Sequence, residues 1–120
     1  MRVSLSKYAG RLSGSGFNYA LRTYLIIHGF TDTTTDPWMA NMAKNLTKVE
    51  NVNVILVDWT AGAAWLQPNI SNFLSYVPYL QAAENTFIVG KKTAAFLHSA
   101  GINLSNVHCI GQSLGAHCCG

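Results

Sequence analysis

The sequence VHCIGQSLGAHCCG, residues 107–120, decides how the rest of the chain is interpreted. Its apolar start predicts a β-strand, the motif GQSLG at residues 111–115 predicts a tight turn, and the small residues that follow suit the start of a helix. So tight a turn forces Ser113 into a strained backbone conformation and leaves no room for a side chain two positions before or after it. Gly111 and Gly115 meet that requirement, so Ser113 is the candidate nucleophile.

The composition is that of a globular protein with ample material for a core: 120 residues, of which 49% are hydrophobic and 11% charged. The net charge of +3 is too diffuse for a nucleic-acid-binding surface, so we expect no nucleic-acid partner. No apolar run is long enough to cross a bilayer, and the N-terminal residues lack the apolar core of a signal peptide. We therefore expect no transmembrane segment, and the residue pattern indicates no cofactor and no bound metal.

Three short β-favouring runs predict strands at residues 23–27, 52–58 and 107–110. The first two are almost uninterruptedly apolar, which is typical of strands buried on both faces of a parallel sheet. Residues 1–22 form a polar, Gly/Ser-rich segment that we expect to be partly irregular, with a further candidate strand near residues 17–21.

Apolar residues at helical spacing predict helices over residues 37–49 and 79–99. The first begins with an aspartate N-cap followed by a proline, a combination that favours a helix start. Gly90 lies inside the second helix, and we expect it to permit close contact with the sheet. Residues 60–78 are rich in Gly, Ala, Pro and Asn and predict a long connection with irregular helical turns.

The alternation of strands and helices predicts an α/β fold with a mostly parallel central sheet flanked by helices. G-x-S-x-G between a strand and a helix is the nucleophile elbow of α/β hydrolases, and it puts Ser113 at the carboxyl edge of the sheet. Acyl transfer also needs hydrogen-bond donors for the developing oxyanion. The backbone N–H of Leu114 is one candidate donor. The turn His28-Gly29-Phe30 after the first strand offers the Phe30 N–H as the other.

Three segments together resemble the animal (pancreatic-type) lipase family: TYLIIHGF at residues 23–30, PWMANMAKNLTKVENVNVILVDW at 37–59 and NVHCIGQSLGAHCCG at 106–120. The resemblance implies an α/β-hydrolase fold, secretion, and hydrolysis of carboxylic esters in lipids at an interface. The implied enzyme is of the triacylglycerol lipase or phospholipase A1 type and works through a serine nucleophile and an acyl-enzyme. The resemblance leaves open whether a protein cofactor takes part.

The same resemblance implies a role for each matching residue. Ser113 corresponds to the nucleophile, and Phe30 and Leu114 correspond to the backbone N–H donors of the oxyanion hole. The residues that correspond to supporting positions are His28, Gly29, Gly111 and Gly115.

The cysteines are Cys109, Cys118 and Cys119, and we predict that all three are buried thiols that act as small hydrophobic residues. No C-x-x-C spacing indicates a metal or redox site. Compared with the family, Cys118 and Cys119 replace residues that are usually alanine. Ala43 and Val54 occupy the positions of a disulfide that joins the first helix to the next strand in the pancreatic branch.

None of the four histidines is expected to act as the catalytic base. His117 lies one helical turn past the nucleophile and is predicted to pack structurally, whereas His28 is predicted to brace the oxyanion turn. His98 and His108 are interpreted as ordinary structural residues, the latter on a buried strand. Asp58 closes a strand at the catalytic edge, but it precedes the serine and is also interpreted as structural.

In α/β hydrolases the acid and the histidine of the triad follow the serine in the chain. We therefore expect residues 23–120 to be a partial lipase domain with negligible turnover on its own. One alternative is a non-catalytic lipase homologue that binds or carries lipid. Another is a small thiol or metal protein that uses His117 and the two neighbouring cysteines.

Three N-glycosylation sequons begin at Asn45, Asn69 and Asn103. They are compatible with secretion. Asn45 falls within the first predicted helix, which argues against the use of that sequon.

Overall fold

The computed structural model describes residues 2–3, 16–30, 35–63 and 72–120. Its elements in chain order are β1 (Arg2–Val3), β2 (Thr23–Ile27), α1 (Pro37–Val49), β3 (Asn53–Val57), α2 (Thr60–Ala63), α3 (Asn72–Ser99), a 3₁₀ turn (Leu104–Asn106), β4 (Val107–Gly111) and α4 (Leu114–Cys119). No helix in the described ranges is long and apolar enough to cross a membrane.

The four described strands form one parallel sheet in the order β1-β3-β2-β4. The register pairs Ile27 with Val57 on one side and with Gly111 on the other, so the carboxyl ends of β2, β3 and β4 are level. This arrangement confirms the predicted parallel sheet. It also brings the residues that follow these three strands to a single edge.

The strands β2 and β3 are buried on both faces, as predicted. One face packs Ile27 and Val57 against Leu97 of α3, and the other packs Ile26 and Val54 under α1. By contrast, β4 lies at an edge of the described sheet and is only partly buried. The interpretation of this strand as buried was wrong because an edge strand has one neighbouring strand in this sheet instead of two.

The bounds predicted for β2 and α1 match the structure, and β3 is one residue shorter at each end. The candidate strand near residues 17–21 was wrong. Asn18 instead forms a turn, in which its carbonyl accepts a hydrogen bond from Leu21 N and its side-chain oxygen accepts one from Ala20 N. The buried Asn53 side chain holds this turn through two hydrogen bonds to the Asn18 backbone, so polar contacts outweigh β-propensity here.

The helix α3 begins at Asn72, seven residues before its predicted start, and continues through Pro78. The prediction had placed residues 60–78, and hence Pro78, in the connection before the helix. The expected long connection is correspondingly shorter and includes the helix α2. Residues 64–71, which also belong to this connection and contain the Asn69 sequon, lie outside the described residues.

Candidate active site

The backbone of Ser113 has φ 55° and ψ −123°, and Ser113 is the one non-glycine residue with positive φ in the described part of the chain. Such a conformation costs on the order of 1–3 kcal/mol and persists only where the surroundings enforce it. Ser113 precedes the first residue of α4, is exposed, and makes no side-chain capping hydrogen bond to that helix. The predicted strain is present, and it holds the hydroxyl at the carboxyl edge of the sheet.

Sterics enforce this conformation through the two glycines of the serine elbow, as we call residues 111–115. A Cβ atom on Gly111 would lie 2.4 Å from the backbone N of Ala116. A Cβ atom on Gly115 would lie 2.3 Å from the carbonyl oxygen of Ile27. Real Cβ atoms do not approach backbone atoms this closely, so any side chain at either position would force the elbow apart. The structure therefore confirms that both positions require glycine.

The contact at Gly115 also brings the elbow against the β2 turn, our name for residues 28–30. The hypothetical Cβ of Gly115 would lie 2.5 Å from the carbonyl oxygen of His28, and Gln112 N donates to the Ile27 carbonyl oxygen at 3.1 Å. Leu114 is the first residue of α4, and N–H groups in the first turn of a helix have no partner within that helix. The elbow and the β2 turn, which carries Phe30, are thus neighbours at one edge of the sheet.

Hydrogen bonds to Trp59 fix the β2 turn. His28 is completely buried, and its Nε2 accepts a hydrogen bond of 3.2 Å from the backbone N–H of Trp59. Since Nε2 is the acceptor, Nδ1 is the donor, and it lies 3.1 Å from the Gly29 carbonyl oxygen and donates to it. The Trp59 indole N–H donates to the His28 carbonyl oxygen at 2.8 Å, and the two rings stack with their centroids 5.6 Å apart. Both ring nitrogens of His28 thus have hydrogen-bond partners, and these contacts stabilise the turn.

Asp58 lies close to His28 without forming an ion pair with it. Its Oδ1 is 3.9 Å from His28 Nε2, but that nitrogen already accepts a hydrogen bond from the Trp59 backbone N–H. Asp58 Oδ1 instead accepts hydrogen bonds from the backbone N–H of Thr60, at 3.0 Å, and from the Thr60 hydroxyl. These contacts turn the chain from β3 into α2, and they support the structural interpretation of Asp58.

The other histidines are all exposed. His117 projects from α4 into solvent, so the expectation that it packs structurally was wrong. The His108 and Tyr24 rings form a T-shaped pair with their centroids 5.6 Å apart. The expected position of His108 on a buried strand was also wrong because β4 lies at the sheet edge. Among the described residues, no histidine hydrogen-bonds the Ser113 hydroxyl.

The prediction of three free thiols was wrong, because Cys109 and Cys119 form a disulfide with a Cα–Cα distance of 5.7 Å. The elbow reverses the chain and folds α4 back beside β4. Residues ten apart in sequence therefore meet at a distance that a disulfide spans. The sequence did not predict this pairing, because Cys109 bonds to Cys119 and not to Cys118, which is closer to it in sequence. The bridge closes a loop that contains the entire serine elbow.

Cys118 remains a free thiol and is buried, as predicted. Burial raises its pKa from the ordinary 9.0 to about 11, against a smaller lowering by a hydrogen bond to the backbone. The thiol is thus protonated at neutral pH and packs as a small apolar group. A Cβ atom on Gly90 would lie 3.0 Å from the carbonyl oxygen of Cys118. Gly90 therefore permits close contact with α4 and not, as expected, with the sheet.

A strained serine between two obligatory glycines, at the end of a parallel strand and the start of a helix, defines the α/β-hydrolase class. Residues 4–120 match the model of the Lipase family. The chain belongs to the Lipase family.

Curated relatives of the chain are lipases and lipase-related proteins. It is 47% identical over 113 residues to human pancreatic triacylglycerol lipase, and the match covers 91% of this chain and 22% of that protein. It is 39% identical to guinea pig (Cavia porcellus) pancreatic lipase-related protein 2, with 91% and 23% covered. It is 38% identical to the inactive pancreatic lipase-related protein 1 of mouse, with 91% and 21% covered. The chain thus spans about a fifth of the length of these relatives.

Proposed function

We propose that this chain forms the nucleophile and oxyanion-hole portion of a carboxylic ester hydrolase that acts on lipids, of the triacylglycerol lipase or phospholipase A1 type. The observation that carries the proposal is the positive φ of Ser113 between Gly111 and Gly115. A binding protein gains nothing from a strained serine whose hydroxyl is exposed, whereas a nucleophile needs that exposure.

The proposed reaction uses groups from both sides of the site. Ser113 Oγ attacks the carbonyl carbon of the ester, and the carbonyl oxygen becomes an oxyanion that accepts hydrogen bonds from the N–H groups of Leu114 and Phe30. The base that is expected after Ser113 takes the hydroxyl proton and passes it to the alcohol as the ester C–O bond breaks and an acyl-enzyme forms on Ser113. Water then hydrolyses the acyl-enzyme and releases the fatty acid. The side chains of His28 and Asp58 accept hydrogen bonds from the backbone N–H groups of Trp59 and Thr60, so neither is assigned as the base or the acid.

The base and the acid are expected after Ser113 in the whole protein, because α/β hydrolases follow the order serine, acid, histidine. The human relative is about four times as long as this chain, so it has ample sequence for both groups. This chain alone is proposed to turn over lipid esters negligibly. Loss of triad partners costs on the order of 10⁴ or more in kcat.

We further propose that the protein is secreted and meets its substrate at a lipid–water interface. The Cys109–Cys119 disulfide supports this location, because disulfides persist in oxidising compartments and are rare in the cytosol. The resemblance to pancreatic lipases supports the same location.

The competing function is a lipase homologue that binds or carries lipid without hydrolysing it. The observation in its favour is the 38% identity to a mouse relative that is named as inactive. The distinction lies in whether Ser113 reacts.

The test is to treat the native, whole protein with a fluorophosphonate and to map the labelled peptide, while turnover of a triacylglycerol emulsion and of phosphatidylcholine vesicles is measured. We expect label on Ser113 and release of fatty acid from one of the two lipids. The Ser113→Ala variant of the whole protein should take no label and release no fatty acid, while it still binds the lipid surface. A folded protein that binds the emulsion, takes no label and releases no fatty acid would support the carrier function instead.

A further inference from the structure

The turn between α3 and β4 carries a sequon that the proposed reaction does not use. The residues are Asn103-Leu104-Ser105, and Asn103 and Ser105 are both exposed. Leu104 is also 60% exposed, so the whole sequon lies at the surface. We propose that Asn103 is an N-glycosylation site. The proposal rests on the secretion proposed above, because the modification takes place in the secretory pathway.

The backbone around Asn103 is held in place on both sides. The end of α3 is closed by Gly101, at φ 72°, and by a hydrogen bond of 3.1 Å from Ile102 N to the Leu97 carbonyl oxygen. Ile102 is buried and anchors the turn to the core. Asn103 follows this anchor directly, and its carbonyl oxygen accepts a hydrogen bond of 3.0 Å from Asn106 N, so the backbone is held on both sides of the exposed asparagine.

The Asn103 side chain can carry a sugar without losing its structural role. Its Oδ1 accepts a hydrogen bond of 3.0 Å from the backbone N–H of Ser105, and this bond caps the 3₁₀ turn. Glycosylation takes place on the other atom, Nδ2. Oδ1 remains an amide oxygen after the reaction, so the capping hydrogen bond is kept.

The covalent step uses a lipid-pyrophosphate-linked oligosaccharide as the donor. Nδ2 of Asn103 forms a bond to C1 of the first sugar. The bond from C1 to the pyrophosphate oxygen breaks, the electron pair leaves with the lipid pyrophosphate, and Nδ2 gives up one proton. The product is a neutral amide that needs no further partner from the protein.

The position of Asn103 keeps the carbohydrate away from the nucleophile. Asn103 precedes β4 and Ser113 follows it, so the two residues lie at opposite ends of this strand. Five residues at about 3.3 Å each separate the two ends by roughly 16 Å. A glycan at Asn103 therefore lies over Leu104 at the amino edge of the sheet, away from the carboxyl edge that a lipid would approach.

The first experiment uses the native, whole protein. Its peptides are treated with peptide-N-glycosidase in water enriched in heavy oxygen, which converts a glycosylated asparagine into a labelled aspartate. We expect the label on Asn103 in most copies. Unmodified Asn103 in secreted protein with an oxidised Cys109–Cys119 bridge would overturn this proposal and leave secretion and hydrolysis intact. A protein found only in the cytosol with both cysteines reduced would overturn the glycan and the proposed secretion together.

Variants of the whole protein, secreted from a eukaryotic host, separate the sugar from the fold. Asn103→Asp keeps the capping oxygen but removes the acceptor nitrogen, and Ser105→Ala removes the hydroxyl that the sequon requires. We expect each to lose the mass of one glycan. The matched control Asn106→Asp changes an exposed asparagine of the same turn outside the sequon, and it should lose none.

The rate of fluorophosphonate labelling at Ser113 completes the test. We expect Asn103→Asp to react at the rate of the parent, within about twofold, because the glycan lies at the far end of β4. An unchanged glycan mass in both Asn103→Asp and Ser105→Ala would contradict the assignment of the site. A several-fold lower rate in the folded Asn103→Asp variant would contradict the assigned position of the glycan.

Discussion

The two neighbouring parts of the candidate site are held in place by different forces. The serine elbow is exposed at Gln112 and Ser113, and steric exclusion fixes it, since its two glycines leave no space for a side chain and a disulfide spans the turn. The β2 turn is buried and is fixed by directional contacts, since His28 and Trp59 exchange hydrogen bonds and stack. A substitution that adds atoms should therefore destabilise the elbow, whereas a substitution that removes atoms should destabilise the β2 turn.

The largest effect is expected from Gly115→Ala, which would put a Cβ atom 2.3 Å from a backbone carbonyl oxygen. Neither group can move without separating α4 from β2, so we expect a loss of about 3–5 kcal/mol in the free energy of unfolding of the whole protein. Urea denaturation measures this loss, and fluorophosphonate labelling of Ser113 should fall with it.

The control for this substitution is Gly90→Ala, whose Cβ atom would approach a carbonyl oxygen only to 3.0 Å. We expect this variant to be folded, less destabilised, and still labelled on Ser113. Equal stability losses in the two variants would contradict the steric account of the elbow.

A second large effect is expected from His28→Ala. The substitution leaves the Trp59 backbone N–H without its buried acceptor and opens a cavity beside the indole ring. We expect a loss of about 2–4 kcal/mol in stability, measured by urea denaturation, and slower labelling of Ser113.

The matched control is His117→Ala, because His117 is exposed on α4. Its stability should change by no more than about 0.5 kcal/mol. If His28→Ala were as stable and as reactive as His117→Ala, the β2 turn would not depend on the His28–Trp59 contacts.

A smaller effect is expected from the double substitution Cys109→Ala/Cys119→Ala. A disulfide that closes a loop of about ten residues stabilises a protein by about 2–3 kcal/mol through the unfolded state. The loss appears in urea denaturation of the whole protein, and a reductant should produce the same loss in the parent. If the reductant lowers the stability of the double variant by the same amount, the loss comes from a different disulfide, and the predicted contribution of Cys109–Cys119 is contradicted.

The smallest effect is expected from Cys118 and is confined to alkaline pH. Its folded pKa of about 11 exceeds the ordinary 9.0, so the folded state keeps the proton that the unfolded state loses. The stability that this difference supplies is full below pH 9.0 and is lost as the pH rises to about 11. The Cys118→Ala variant should show a shallower decline in stability than the parent over this range. Parallel curves would contradict the raised pKa.

The sequence predicted those parts of the site that depend on local stereochemistry. GQSLG implies a tight turn because only glycine fits at Gly111 and Gly115, and nearly uninterrupted apolar runs imply buried parallel strands. The contacts that required the assembled fold were missed. Cys109 and Cys119 meet only after the elbow reverses the chain, and Gly90 contacts α4 only after two helices have packed. The exposure of His117 likewise depends on which face of a short helix is covered.

The most direct test of the site is a crystal structure of the whole protein after reaction with a fluorophosphonate. The proposed geometry predicts a phosphorus–oxygen bond to Ser113 Oγ. It also predicts a phosphonyl oxygen about 2.7–3.1 Å from the backbone nitrogens of both Leu114 and Phe30. An adduct on another residue, or a phosphonyl oxygen directed away from these two N–H groups, would contradict the assignment of the nucleophile and of the oxyanion hole.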